Sequence, residues 1–242
     1  MKPILLVRND RYESFGLAPG ALVWAGFDIR SVNLTADAPL PPLDEVSGVV
    51  TFGGTMNVDQ VDEHPHLAEV RAYTRAAVDA GVPYLGICLG SQILARACGV
   101  EVVRGPVREV GFEIVRPTTD AASDPLLSFL EPEETVLQWH EDTHDLPPGA
   151  TLLASGDRIP VQAYRIGERA WGIQFHFEVD RTELEWWLDI ADAKIDLEGE
   201  WGKSAARIRA EADRHIERQH KRGREIFRRF AEVVRAAETR LG

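Results

Sequence analysis

The segment Val-Pro-Tyr-Leu-Gly-Ile-Cys-Leu-Gly at 82–90, followed by helical spacing over 91–97, constrains this chain more than any other stretch. An apolar run of strand length passes through a sharp turn straight into a helix. A side chain held between two glycines there, as in Gly86-Ile-Cys88-Leu-Gly90, forms a nucleophile elbow. The turn is too tight for a β-carbon at either flank, which explains the glycines. Cys88 then projects from the carboxyl edge of a sheet, where open α/β folds gather their ligands. The next helix starts at that point, and its unpaired N–H groups and positive dipole end stabilise a thiolate. The competing reading is a buried core thiol, since cysteine is among the most commonly buried residues. Cys98, late in the same helix and without glycine flanks, reads that way.

The rest of the chain alternates short apolar runs with helical patterns, the mark of βαβ units around a parallel sheet. Strands are expected at 3–7, 28–34, 46–52 and 82–87, and helices at 20–26, from Pro65 to Gly81, and at 91–97. From 100 to 175 the pattern turns to strands at 100–103, 111–115, 135–139, 151–154, 161–164 and 170–175, the last two a hairpin around Gly167. Helices follow at about 182–193, 204–220 and 225–238, with Gly223 breaking the final pair. No internal repeat, low-complexity tract or linker is visible. The pattern is that of one domain over 1–242, with 190–242 as a helical C-terminal extension.

No apolar run approaches the roughly 20 residues that span a bilayer. The opening Met-Lys-Pro-Ile-Leu-Leu-Val is too short for a signal peptide and meets charge at once. With two cysteines and no export signal, a reduced cytoplasmic setting is expected. A net charge of −12 argues against nucleic acid as a partner. The charge is uneven: residues 201–242 hold 12 Lys and Arg against 6 Asp and Glu. This basic end is either a docking surface for an acidic partner or a solvated helical face, and the second is the ordinary case.

A thiol nucleophile needs a base, and seven histidines are available. His64, His66, His215 and His220 flank a helix start or lie in the basic tail, and read as exposed. His176 ends the apolar run Trp-Gly-Ile-Gln-Phe at 171–175, again at a sheet's carboxyl edge, and Glu178 two residues on could orient its imidazole. Gly53-Gly54 follows another strand at the same edge and lets backbone N–H groups approach a substrate. Gly54 and the amide of Leu89 are the candidate oxyanion donors. His140-Glu-Asp-Thr-His144 fits a zinc-protease pattern, but that chemistry needs a helix. Here the segment leaves a β-like run and meets Pro147, Pro148 and Gly149, so no metal site is expected.

Taken together, Gly53-Gly54, the 86–92 segment Gly-Ile-Cys-Leu-Gly-Ser-Gln and the 172–178 segment Gly-Ile-Gln-Phe-His-Phe-Glu resemble the class I (triad-type) glutamine amidotransferases, and most of all stand-alone proteins similar to the amidotransferase domain of GMP synthase. The resemblance runs from about residue 1 to about 190. It implies an α/β fold: an open, mostly parallel, flavodoxin-like sheet flanked by helices, with a small antiparallel section. It also implies a Cys88–His176–Glu178 triad, a γ-glutamyl thioester on Cys88, and no metal or organic cofactor. By the same resemblance, Gly53, Gln92 and the segment Trp139, His140, Glu141 and Asp142 would hold glutamine or a γ-glutamyl compound. Three departures stand out: Glu141 replaces a usual glycine, Trp139 a small polar residue, and Phe177 a frequent proline. A glutamate at 141 would repel an α-carboxylate or favour an amine. Three functions compete. One is a glutaminase donating ammonia to a synthetase partner in trans, and another a stand-alone γ-glutamyl amide or peptide hydrolase. The third is a non-catalytic module of the same fold, against which the intact Cys88, His176 and Glu178 argue. Oligomeric state is not legible.

Overall fold

The structure, a computed structural model, describes residues 2–36 and 38–239. Met1 of the opening run and the last three residues of the helical extension lie outside the described residues. The alternating runs form one nine-stranded sheet, in the order β2-β1-β3-β4-β9-β8-β7-β5-β6. β1 (Ile4–Arg8), β2 (Ile29–Asn33), β3 (Gly48–Thr51), β4 (Tyr84–Ile87) and β9 (Ala170–Ile173) pair in parallel. β8 (Ala163–Ile166), β7 (Thr151–Gly156), β5 (Val102–Pro117) and β6 (Glu134–His144) extend it with antiparallel pairings. The fold is α/β with a mixed sheet. Its antiparallel section is larger than the sequence predicts, because β5 runs for 16 residues through what reads as two short strands.

The parallel strands β1, β3, β4 and β9 are buried almost along their whole length, as expected of a sheet covered on both faces. One face is covered by α2 (His66–Asp79) and α3 (Leu89–Ala97), which turn Leu67, Val70, Ile93 and Leu94 into a core with Leu5, Val7 and Val49. On the other face α1 (Ala18–Trp24) packs with the last helix, and Ile226, Phe227, Phe230 and Val234 meet Ile4, Leu6 and Val50.

That last helix differs from the expected pair. α6 (Ala205–Thr239) is a single helix of 35 residues that runs straight through Gly223. A β-carbon at Gly223 would collide with the carbonyl oxygen of Phe177, so the glycine allows close approach and does not break the helix. α4 (Arg181–Lys194) starts at Asp180, whose side chain accepts from the amide of Glu183. A short α5 (Leu197–Trp201), absent from the sequence expectation, caps its own start with Asp196. Part of the basic end is paired within the chain. Arg218 and Arg222 pair with Glu131 and Glu134, Arg209 with Glu185 and Asp189, and Lys203 with Glu113 and Glu211. For these four cations the chain's own body supplies acidic partners, while Arg214, Lys221 and Arg224 remain exposed.

Candidate active site

The elbow is built as its glycines require. A β-carbon at Gly86 would strike the carbonyl of Gly90, and one at Gly90 the carbonyl of Thr51. Cys88 has φ 51 and ψ −110, and among the described residues it alone combines a side chain with positive φ. Such a backbone costs on the order of 1–3 kcal/mol and persists only where the surroundings enforce it. Here β9 and α3 enforce it: the amide of Cys88 donates to the carbonyl of Ile173, and its carbonyl accepts from Ser91 and Gln92. Cys88 Sγ lies 3.9 Å from the carbonyl of Trp139 on β6.

His176 is held beyond the end of β9 by its amide, which donates to Leu137 of β6 at 2.8 Å. Its Nδ1 faces Glu178 Oε1 at 2.7 Å, and Cys88 acts on the charge of the ring. Burial opposes the charged imidazole, but the Glu178 carboxylate and Cys88 outweigh it and hold His176 well above its ordinary value. α6 props this segment from beneath. Gln219 accepts from the amide of Leu137 and donates to the carbonyl of Val179, while Gly223 sits on Phe177.

The glycine loop after β3 closes the third side. Asp10, just past β1, accepts from the amide of Thr55 at 2.8 Å and fixes the loop. A β-carbon at Gly54 would lie 2.7 Å from the side chain of Leu89, so the two expected oxyanion donors are neighbours. A β-carbon at Gly53 would meet the carboxyl of Glu13 at 2.8 Å. Glu13 is buried among Asp10, His176, Glu178 and Glu183. Burial raises its carboxyl well above the usual range, with His176 opposing and the other carboxylates adding. Among the described residues, Glu13, His176 and Glu178 form the single group that could hold a metal ion, with ligand atoms within 4.8 Å. The Nδ1 of His176 is already taken by Glu178.

A cavity of about 840 Å³ opens over these groups and is lined by Gly54, Cys88, Gln92, Trp139, His140, Glu141, Asp142 and His176. Gly53, Leu89 and Glu178 are buried and do not line it. Within the 139–142 segment the side chains divide. His140 points inward, its Nε2 3.1 Å from the buried Glu109 and its Nδ1 3.0 Å from the carbonyl of Asp142. Burial works against the Glu109 carboxylate, but bonds from His140 and Gln162 hold it below its ordinary value. Glu141 is bound by Arg104 at 2.6 Å and Arg108 at 2.8 Å, so it presents no bare charge to an α-carboxylate. Asp142 accepts from Asn57 at 2.7 Å, tying β6 to the glycine loop. The amide of Gln92 is used by the carbonyl of Asp142 and by Gln174. His140 and His144 lie on a strand, about 13 Å apart at 3.3 Å per residue, too far for one ion.

Glu13, Asn57, Trp187 and Lys194 also border the cavity, and the sequence reading missed them. For Glu13 and Asn57 a signal exists, because both closely follow strands whose carboxyl ends form the site. Cys98 is half-buried at the end of α3, where burial raises its thiol. His64, His66, His215 and His220 are partly buried and not exposed, and none lines the cavity.

Residues 20–186 match the family model for glutamine amidotransferase class-I. The chain belongs to the class I glutamine amidotransferases. It is 31% identical over 208 residues to the glutamine amidotransferase-like protein YfeJ of Salmonella typhimurium, covering 82% of this chain and 87% of that one. It is 32% identical over 157 residues to one of the subunits of the glutamine-hydrolyzing GMP synthase of Sulfolobus acidocaldarius, covering 64% and 79%. A glutamine amidotransferase of Thermotoga maritima superposes with TM-score 0.84 at 26% identity, covering 96% of this chain and 98% of that one. One from Methylobacillus flagellatus gives 0.87 at 26%, covering 96% and 95%. The family model ends before α5 and α6, so the helix that props His176 lies outside it. No helix among the described residues is long and apolar enough to cross a membrane.

Proposed function

We propose that the chain hydrolyses the γ-amide of glutamine or of a γ-glutamyl compound through a thioester on Cys88. The observation that carries this is the meeting, at one cavity, of Cys88 on a strained elbow with the His176–Glu178 pair 2.7 Å apart. Membership of the class I amidotransferases supplies the substrate class.

In this reading Cys88 Sγ attacks the γ-carbonyl carbon, and the amides of Leu89 and Gly54 hold the oxygen as it gains charge. His176 then gives its proton to the departing nitrogen, the C–N bond breaks, and the thioester remains. Water attacks that carbon as His176 takes its proton, and the S–C bond breaks to release glutamate. Glu178 keeps the imidazole oriented and stabilises its cation. With glutamine the amine released is ammonia, and using it would require a synthetase partner bound over the cavity mouth. A γ-glutamyl compound with a larger amine requires no partner.

The test is glutamate release from glutamine and γ-glutamyl amides, with hydroxylamine trapping the thioester as γ-glutamyl hydroxamate. Both signals should vanish in Cys88→Ala. Hydroxamate formed at the wild-type rate by that variant would sink the proposal.

A further inference from the structure

The space over Cys88 is larger than a carboxamide needs. Its 840 Å³ lies in the upper part of the range of about 300–1,000 Å³ that holds ligands several times the size of an amino acid. Its walls are of two kinds. One side carries Asn57, Gln60 and Asp142, suited to the polar ends of a glutamyl group. The other side is indole and aliphatic.

The side on which the bond breaks identifies the apolar half. Whatever amine departs must take its proton from His176, so it leaves on the imidazole side. The ring of Trp187 stands edge-on to that imidazole at 5.0 Å. Beyond it the wall continues through Trp139, 5.7 Å from Trp187, and Trp201, 6.5 Å from Trp139. Ile190 and Ile195 complete this side. Ammonia gains nothing from three indoles, whereas an aromatic or branched side chain gains the transfer energy of its whole apolar area. One cation without a carboxylate partner stands on the same side. Lys194 Nζ lies 2.9 Å from the hydroxyl of Tyr12 and 4.7 Å from its ring centroid, and makes no ion pair among the described residues, while Arg104 is already bound to Glu141. An ammonium with no counter-charge beside an apolar wall fits a carboxylate carried on the apolar amine.

The geometry points to a γ-glutamyl dipeptide whose second residue is aromatic or branched as the substrate of this site, with Trp187, Trp139 and Trp201 receiving the leaving residue and Lys194 its carboxylate. This rests on the thioester chemistry proposed above. The reaction balances as an ordinary hydrolysis. The S–C bond forms as the amide C–N bond breaks and His176 protonates the amino acid's nitrogen, and water then restores the thiol and yields glutamate.

The experiment compares kcat/KM for γ-glutamyl-phenylalanine, γ-glutamyl-glycine, γ-glutamyl-phenethylamide and glutamine, alongside alkylation of Cys88 by the glutamine analogue 6-diazo-5-oxo-norleucine. Wild type should favour γ-glutamyl-phenylalanine over both γ-glutamyl-glycine and glutamine by on the order of tenfold or more. Trp201→Ala should lower the phenylalanine-to-glycine ratio by a similar factor, and Lys194→Met the ratio of dipeptide to phenethylamide. A ratio is insensitive to partial loss of folded protein, so general damage would not imitate either result. If Cys88 is alkylated but γ-glutamyl-phenylalanine is no better than glutamine, the leaving-group assignment falls alone. If Cys88 is neither alkylated nor acylated by any of the four, the thioester reading falls and takes this assignment with it.

Discussion

Glu13 places its carboxyl against the α-carbon of Gly53, where any side chain at position 53 would displace it. The contact joins the loop after β1 to the loop after β3, and sets a second carboxyl beside the His176–Glu178 pair.

Because burial raises Glu13, the folded chain binds its proton more tightly than the unfolded chain does. Its contribution to stability is complete below its ordinary value of 4.5 and is lost as pH rises through the raised one. Glu13→Gln keeps the shape and cannot ionise. Its melting temperature should therefore gain on wild type as pH rises above 4.5, the ordinary value of Glu13. Asp10, Glu178, Glu183 and His176 face the same carboxyl and are common to both proteins. A difference that stays flat with pH would show that Glu13 is not buried against them.

The positive φ of Cys88 separates two inactive variants. Cys88→Ala removes the thiol and keeps the strain, while Cys88→Gly removes both. Neither should turn over substrate, and denaturant unfolding should find the glycine variant more stable than the alanine variant by about 1–2 kcal/mol. Equal midpoints would mean that the elbow is relaxed. Cys98→Ala, remote from the cavity, should retain turnover.

Gly223 gives the reverse result from ordinary helix propensity. In an exposed helix, alanine in place of glycine gains about 1 kcal/mol. Here the new methyl would strike the carbonyl of Phe177, between His176 and Glu178. Gly223→Ala is expected to lose about 1–3 kcal/mol and to slow turnover, since α6 must lift or the triad segment must move. A stabilised, fully active variant would show that α6 does not set the position of that segment.

His176 and Glu178 should separate in kinetics. His176→Ala removes the proton carrier and is expected to cost about 10²–10⁴-fold in kcat. Glu178→Gln should cost less. It should also lower the pH at which the imidazole gives up its proton, because the Glu178 carboxylate is the leading group that holds it up. The pH profile of Cys88 alkylation reports that shift, and an unmoved profile would deny Glu178 this role.

The elbow and the strand-end histidine were legible because their constraints are local. Gly86 and Gly90 are written into the chain by the lack of room beside Thr51 and Gly90's own carbonyl, and His176 and Glu178 are two residues apart. Trp187 and Lys194 were not, since each reaches the cavity only after distant elements dock. Gly223 misled for a related reason: a glycine within a helical pattern looks the same whether it breaks the helix or admits a neighbour. β5 was divided into strands at 100–103 and 111–115, whereas one strand passes through the residues between them with a shift of register between Arg104 and Glu109.

α6 touches α1, α4, β5 and β6, and at about 1.5 Å per residue it extends for about 50 Å. It crosses from the antiparallel end, where Glu211 accepts from the amide of Phe112, to the parallel end, where Arg235 meets the carbonyl of Ala25. A rod fastened at both ends removes the hinge that the two halves of the sheet would otherwise share. Selection of a substrate then falls to rotamers at the cavity rim and not to domain closure, and scattering profiles of the free and substrate-bound protein should coincide.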